Sequence, residues 1–387
     1  MIKNSYYNFG FSKFGPFLYG FSNWLIKNVI TNIDYSKTFL FARDGYMMKK
    51  AIDEQVEKGK YNYEYVYFSR KSIRQALLYN TSSFSDSLKY ISRERYITYG
   101  KLLEYYGFDY KTSLEICEKE KINIDEQILL KSILTNRQAF YLYKKLKKTI
   151  NINSKKQATL LLKYLNQIDF AGSVAIVDIG WHGSMQYYLE QFAREHEISV
   201  KIIGYYLGTE TKPEVTGKTF GYVYANDNLK LKKDLLCCFG LLERLFQSRV
   251  GSTFGYRLEG KKVCPILGEY EYKNDKKLIS HINDMQEGAI ACIRYLTQDK
   301  RKRSKLDFIL PLIKVGKTPT LAQTELFKDF YLMDGSKEYF VSQKSLFRYS
   351  PKEFMHSLSN SPWKTGFMKS VFKVPFPYYK IYDLLKK

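Results

Sequence analysis

Residues 172–192 combine an apolar strand pattern, an acid, a glycine-bearing turn and an amphipathic helix pattern in one short stretch. The small and β-branched residues at 174–177 predict a buried strand that ends on Asp178. A turn containing Gly180 and Gly183 follows, and apolar side chains then recur at helical spacing. The stretch therefore predicts a strand–turn–helix unit of an α/β protein.

The turn after this strand has the composition of an anion-binding site. Backbone N–H groups at a helix N-terminus point outward, and the helix dipole favours negative charge there. Glycines allow a phosphate to approach the backbone closely, and Ser184 adds a hydroxyl at the helix start. The carboxylate of Asp178 can accept hydrogen bonds from sugar hydroxyls. Because Trp181 and His182 are poor turn formers, we favour a sugar phosphate or nucleotide site over a turn shaped by geometry alone.

Other apolar segments alternate with helical patterns along the chain, which predicts a parallel sheet with crossover connections. In such sheets ligands bind beyond the carboxyl ends of the strands. Polar clusters at 43–45, 69–74 and 178–186 each follow a predicted strand, so we expect them to meet at one edge of the sheet. The predicted strands are 38–42, 65–68, 174–177 and 200–207.

The remainder of the chain has mostly helical patterns. The insertion between the second and third strands is rich in Lys, Leu and Tyr, and it is either a structural cap or an acceptor-binding lid. The predicted organisation is an α/β core at 1–79 and 170–270, a helical insertion at 80–169 and a helical C-terminal region at 271–387. Shorter patterns predict a helix at 16–32, a hairpin at 254–267 and a helix at 275–299.

The formal net charge of +23, from 62 Lys and Arg against 39 Asp and Glu, suits an anionic partner. Nucleic acid is not expected, because no RRM, KH or zinc signature is present. Phosphorylated substrates and anionic lipid surfaces remain as expected partners. The five cysteines and four histidines show no metal-binding spacing, and the odd number of cysteines favours a reducing cytoplasm over a disulfide framework.

Neither a secretory signal nor an unbroken apolar run of about 20 residues is apparent, so a cytoplasmic location is predicted. The segment 369–387 mixes basic and aromatic residues. It suits either contact with the anionic inner face of the plasma membrane or a docked terminal helix.

The sequence lacks the motifs of several classes of protein that act on phosphates or esters. A haloacid dehalogenase-like phosphatase needs a strand ending in Asp-x-Asp, but Asp44 is followed by Tyr46 and Asp178 by Gly180 at the second position. Neither a Walker loop nor a GxSxG elbow is present.

The segment IVDIGWHGSMQ resembles the signature of type I phosphoribosyltransferases, which is an apolar strand, usually two acids, and a Thr-Gly-x-Thr turn that enters a helix. Ile179 stands where the second acid is usual. Across nearly the whole chain, FLFARDGYMMKKAID, YVYFSRKSIR, VAIVDIGWHGSMQ, IIGYYLGT and LLERLFQSRVGSTFGY resemble a family encoded with bacterial capsule and O-antigen genes. Its members are often labelled haloacid dehalogenase-type hydrolases, because many carry such a phosphatase domain ahead of this region.

Within that family, the region resembles the phosphoribosyltransferase-like module of bacterial ribofuranosyltransferases. The resemblance implies a type I phosphoribosyltransferase-like parallel sheet. It also implies transfer of ribose 5-phosphate from phosphoribosyl pyrophosphate (PRPP) to a hydroxyl of a lipid-linked bacterial glycan, with a separate phosphatase removing the 5-phosphate. A Mg²⁺ ion with few protein ligands is expected to bridge pyrophosphate and ribose. A haloacid dehalogenase-like phosphatase and a non-catalytic basic scaffold of polysaccharide assembly are the alternatives.

The resemblance also assigns roles to residues. Asp178 binds the ribose hydroxyls, Trp181 and His182 contact the donor, and Asp44 and Glu243 are candidates for the general base that activates the acceptor hydroxyl. The 5-phosphate is assigned to Gly180, Gly183, Ser184 and Gln186. The pyrophosphate is assigned to Arg43, the backbone at Asp44 and Gly45, and a clamp of Ser69, Arg70 and Arg74.

Overall fold

The computed structural model describes residues 4–89, 91, 96–334 and 336–385, and its centre is a five-stranded sheet in which all strands run parallel. In chain order the strands are β1 Lys37–Phe41, β2 Tyr63–Val66, β3 Tyr96–Thr98, β4 Gln127–Leu129, β5 Gly172–Trp181, β6 Val200–Thr209, β7 Thr219–Gly221, β8 Thr253–Glu259, β9 Lys262–Leu267, β10 Tyr331–Asp334 and β11 Ser336–Tyr339.

Helices make up most of the remaining structure. Within the described ranges, none of them is both long enough and apolar enough to cross a membrane. The α-helices are α1 Ser5–Phe9, α2 Gly15–Leu25, α3 Gly45–Asp53, α4 Arg70–Leu77, α5 Phe84–Ser87, α6 Tyr99–Tyr105, α7 Tyr110–Lys119, α8 Arg137–Gln167, α9 Ser184–Glu195, α10 Lys232–Leu236, α11 Phe239–Phe246, α12 Lys276–Gln298, α13 Lys305–Lys317, α14 Leu321–Leu326, α15 Pro351–Asn360, α16 Lys364–Phe372 and α17 Tyr378–Leu385.

The strand order in the main sheet is β2–β1–β5–β6–β7. β1 pairs with β2 on one side and with β5 on the other, so the direction of strand addition reverses between β1 and β5. In doubly wound sheets the crevice for ligands lies at this reversal, beyond the carboxyl ends of the strands. The predicted α/β fold with a parallel sheet and a helical C-terminal region is thus confirmed.

The four predicted strands correspond to β1, β2, β5 and β6, and the predicted hairpin and late helix correspond to β8–β9 and α12. Sequence analysis missed β7, which has three residues and pairs with β6 through Gly204, Tyr205 and Tyr206. A segment this short carries too little periodicity to indicate a strand.

Alternating side chains of the strands bury into two different layers. Phe39 and Phe41 of β1 pack with the insertion, α9 and the β8–β9 hairpin, whereas Leu40 packs with the N-terminal helices and the C-terminal region. The same alternation holds in β5, where Ile176 and Val177 face opposite layers. The predicted insertion therefore covers one face of the sheet, and both chain ends cover the other.

The N-terminal helix differs from its prediction at 16–32. Helical structure runs from Ser5 to Ile30, with π-helical turns at Gly10–Phe14 and Ile26–Ile30. A Cβ atom on Gly10 would lie 1.9 Å from the carbonyl oxygen of Met285 in α12. The absence of a side chain at Gly10 therefore permits close packing of this segment against α12.

We therefore expect Gly10→Ala to lower the free energy of unfolding by about 1–3 kcal/mol or more, because the added methyl group meets backbone rather than a flexible side chain. Ser12→Ala, at an exposed position of the same segment, is the control and should change it by no more than about 0.5 kcal/mol. Urea denaturation measures both values. Equal stability of the two variants would contradict the packing of this segment on α12.

Candidate functional site

Three of the predicted polar clusters meet where β1, β2 and β5 end. Burial raises the pKa of Asp44 well above its usual range, and the nearby carboxylates of Asp178 and Glu243 raise it further. The guanidinium groups of Arg43 and Arg244 act in the opposite direction. The carboxyl groups predicted from separate parts of the sequence therefore share one electrostatic environment.

A cavity of about 510 Å³ lies at this edge of the sheet. Its wall carries more cationic than anionic side chains, which suits a ligand with several negative charges. The cations are Arg43, Arg70, Lys71, Arg74, Lys101 and Arg244, and the acids are Glu104, Glu243 and Glu271.

Arg244 is the most buried of these cations, with 1% of its surface exposed. It forms an ion pair with Glu271, and its guanidinium lies over the ring of Tyr272. Its Nη1 faces Glu271, but Nε and Nη2 have no hydrogen-bond acceptor among the described residues. Because buried N–H groups without acceptors are costly, an anion in the cavity would stabilise this arginine.

Glu271 holds two arginines at the wall of the cavity. One of its carboxylate oxygens lies 3.6 Å from Nη1 of Arg43, and the other pairs with Arg244. Sequence reasoning assigned no role to Arg244 or Glu271. The position of Arg244 directly after the predicted base Glu243 was the available signal, whereas Glu271 had none.

The arginines of the predicted clamp do line the cavity. The Arg70 side chain is exposed and has no hydrogen bond or ion pair with any residue that the structure describes. Arg74 is buried, donates from Nε to the carbonyl oxygen of Arg70, and lies 4.5 Å from the ring centre of Tyr105. Arg70 is thus available to a ligand, and Arg74 is held by its surroundings.

Ser69 has a structural role at the same edge. Its hydroxyl accepts a hydrogen bond from the N–H of Ser72 and caps α4, and it donates to the carbonyl oxygen of Thr253. The predicted pyrophosphate contact would compete with these bonds.

Gly45 is buried at the start of α3, where a Cβ atom would lie 2.7 Å from the carbonyl carbon of Leu40.

The glycine turn at the end of β5 has the left-handed backbone that its sequence suggested. Gly180 has φ +103°, Trp181 φ +79° and Gly183 φ +66°. Gly183 caps α9 without a side-chain hydrogen bond, and Ser184 is the first residue of the helix. The turn is thus shaped to present the N-terminus of α9.

Tyr188, in the N-terminal half of α9, lies near two arginines of the cavity wall. Burial raises the pKa of Tyr188, and the charges of Arg74 and Arg70 act in the opposite direction. The charge of Arg70 also acts against the raised pKa of Asp178. The glycine turn and the basic cavity are therefore neighbouring parts of one site.

Two aromatic residues of the turn are held by tertiary contacts. The ring of Trp181 packs on Phe239, with 5.7 Å between ring centres, and Phe239 lines the cavity. His182 is exposed, and its Nδ1 lies 3.1 Å from the carbonyl oxygen of Glu210. Trp181 therefore supports the cavity wall, and His182 faces the segment after β6.

Gln186 does not fit its predicted role as a phosphate contact. Its side chain is fully buried, its amide nitrogen donates to Glu190 at 2.8 Å, and its amide oxygen accepts from the hydroxyl of Tyr206 at 2.9 Å. Because its position in α9 faces the sheet, the amide fastens the helix to β6 instead.

Burial raises the pKa of the other two acids as well. Burial raises the pKa of Asp178 to about 6, against lowering by the N–H of Ile179 and the charge of Arg70. Burial also raises the pKa of Glu243, while Arg244 and Arg43 lower it. Within the described ranges, no group of three or more His, Cys, Asp and Glu side chains is placed to hold a metal ion.

No protein-family model matches this sequence, and no curated protein matches it. The family resemblance therefore depends on the sequence segments, and the site is interpreted from its own geometry.

The raised pKa of Asp178 predicts a pH-dependent stability. Because the folded state holds this proton more tightly than the unfolded state, the residue's contribution to stability is lost as the pH rises towards and through 6. We compare the free energy of unfolding of Asp178→Asn with that of the natural protein. Between pH 4.5 and pH 7.5 this difference should change by about 2 kcal/mol in favour of the variant. Urea denaturation at both pH values measures this gain. The exposed Asp34→Asn is the control and should show no such difference; identical behaviour of the two variants would contradict the assignment.

Proposed function

We propose that this protein transfers ribose 5-phosphate from PRPP to a hydroxyl of a lipid-linked bacterial surface glycan. The observation that carries the proposal is the buried Arg244, whose Nε and Nη2 lack acceptors among the described residues, in a basic cavity at the crevice where Asp44 and Asp178 meet. The cavity is within the size range of small-molecule sites.

The pyrophosphate of the donor fits the arginine-rich wall. Arg43 and Arg244 are fixed by Glu271, and Arg70 has no competing partner among the described residues. Guanidinium groups bind phosphate oxygens in a bidentate manner. Fixed positive charge at this position would stabilise the pyrophosphate as it leaves, because that is where negative charge increases.

The sugar end of the donor fits the glycine turn. The N-terminus of α9 presents backbone N–H groups to the 5-phosphate, and Ser184 adds a hydroxyl. Asp178 is the acceptor for the ribose hydroxyls. Gln186 takes no part, since its amide is used inside the fold.

A Mg²⁺ ion is consistent with the acids of the site. Burial and the nearby Asp178 carboxylate raise the pKa of Asp44, and a divalent cation held by Asp178 would reduce the repulsion between the two acids. When bound, the ion would neutralise part of the pyrophosphate charge. Few protein ligands are needed, because Mg²⁺ usually keeps several waters.

Glu243 is the stronger of the two candidates for the general base. It lines the cavity, and Arg244 and Arg43 favour its ionised form. Asp44 holds its proton more tightly and is not part of the cavity wall. In the reaction, the acceptor oxygen bonds to C1 of the ribose as the C1–pyrophosphate bond breaks, and the hydroxyl proton passes to Glu243.

Contact with an anionic membrane surface suits a lipid-linked acceptor. Phe347 is 97% exposed and Phe376 is 53% exposed in a C-terminal segment that also carries Lys and Arg. The terminal helix α17 is itself docked, since the hydroxyl of Tyr379 donates to Asp234 at 2.6 Å. We propose peripheral contact through Phe347 and Phe376, of which Phe376 lies just before this helix in the chain.

The decisive experiment is incubation with PRPP, Mg²⁺ and synthetic glycan acceptors, followed by mass spectrometry for an added pentose phosphate. Absence of PRPP binding by calorimetry would refute the proposal. PRPP binding without transfer to any acceptor would favour the non-catalytic scaffold, and release of phosphate from phosphomonoesters would favour the phosphatase.

Glu243→Gln should lower kcat for transfer by about 10²–10⁴-fold, because the acceptor hydroxyl loses its base. PRPP affinity should be retained, since the substitution removes a negative charge from an anion site. Glu287→Gln, an exposed acid on α12, is the matched control and should leave kcat unchanged. An unchanged kcat in Glu243→Gln would exclude this residue as the base.

Arg70→Gln should weaken PRPP binding by about 10–100-fold, the amount expected for one lost charge-assisted hydrogen bond. The melting temperature should not fall, because the Arg70 side chain is exposed and has no partner in the described structure. Arg257→Gln, an exposed arginine in the β8–β9 hairpin, controls for the loss of one positive charge. Equal calorimetric affinities for the two variants would remove Arg70 from the donor site.

A further inference from the structure

A second cavity, of about 540 Å³, lies beside the basic cavity. The side chains of Phe239 and Leu332 line both cavities, so the two share a wall. The second cavity is otherwise formed by the end of α10, by β11 and by the segment that joins α15 to α16. None of the residues predicted from the sequence lies in it.

The lining of the second cavity combines apolar and polar side chains, and its two charged side chains are both engaged in hydrogen bonds. Lys364 donates to the carbonyl oxygens of Ser359 and Ser361, and Glu338 accepts from the amide of Asn360. The hydroxyl of Ser359 makes no hydrogen bond to any residue that the structure describes, and its residue is exposed. A surface with hydroxyl and amide groups beside an aromatic ring suits a neutral polyhydroxylated ligand better than a phosphate.

Helix α11 connects the two cavities. Phe239 and Glu243 are four residues apart and so lie on the same side of the helix, one turn from each other. Glu243 lines the basic cavity, and Phe239 lines both. A ligand that contacts the Phe239 ring in the second cavity therefore lies about one helical turn from the carboxylate of Glu243.

The geometry points to the second cavity as the acceptor subsite, which takes a neutral saccharide unit against Phe239 and presents one hydroxyl towards Glu243. This inference rests on the proposed function, because it names where the acceptor of that reaction binds. It also accounts for the packing of Trp181 behind Phe239, since a ring that contacts both ligands must be held in place.

The test uses substitutions that change the lining of the second cavity and leave the residues of the basic cavity unchanged. Ser359→Trp places a large side chain at an exposed lining position near the end of α15, and Asn360→Ala removes an amide without adding bulk. Met355→Trp, exposed on the same helix and outside the cavity lining, is the matched control. Thermal melting confirms folding of each variant. Saturation-transfer NMR with lactose, cellobiose and N,N′-diacetylchitobiose measures saccharide binding, with and without PRPP and Mg²⁺.

We expect at least one disaccharide to bind the natural protein and Met355→Trp, and to bind Ser359→Trp about tenfold or more weakly. Asn360→Ala should be weakened as well, and PRPP affinity should be equal in all four proteins. Failure of every disaccharide to bind, or equal binding by Ser359→Trp, would overturn the inference. If the natural protein binds a disaccharide in this cavity but does not bind PRPP, the proposed function is refuted and a saccharide site remains. If it binds PRPP but no disaccharide, the acceptor subsite is overturned and the donor site of the proposed function remains.

Discussion

The pairing of β1 with β5 is the constraint on which the site depends. Parallel hydrogen bonding places Leu40 opposite Val177, so both strands reach the same edge of the sheet together. The chain then leaves β1 through Arg43 and Asp44, and β5 carries Asp178 near its end. Because each face of the sheet is buried by a different layer, this edge is where polar groups of both strands can meet a ligand.

The charges at this edge are arranged unfavourably for the protein alone. Asp44 is forced towards its neutral form, and Arg244 is buried with Nε and Nη2 that have no acceptors in the described structure. Neither feature stabilises the fold by itself, because burying a charged or polar group without full pairing costs free energy. Such arrangements concentrate where a ligand supplies the missing partner.

The aromatic contacts explain how the turn and the cavities are joined. Trp181 adopts a left-handed backbone conformation that costs a non-glycine residue about 1–3 kcal/mol. The conformation directs its ring onto Phe239, which separates the basic cavity from the neutral one. One strained residue in the glycine turn thus supports the wall between the two proposed ligand subsites.

The sequence by itself determined the α/β class, the four longer strands of the main sheet and the polar residues after them, because strand periodicity and glycine turns are local patterns. It also indicated Asp44, Asp178 and Glu243, which the fold brings into one electrostatic environment. Only the tertiary structure decided that Glu271 joins Arg43 to Arg244, that Gln186 faces the sheet, and that the N-terminal glycines pack against α12. These features depend on contacts between residues far apart in the chain, or on which face of a helix meets the core, and neither leaves a local pattern in the sequence.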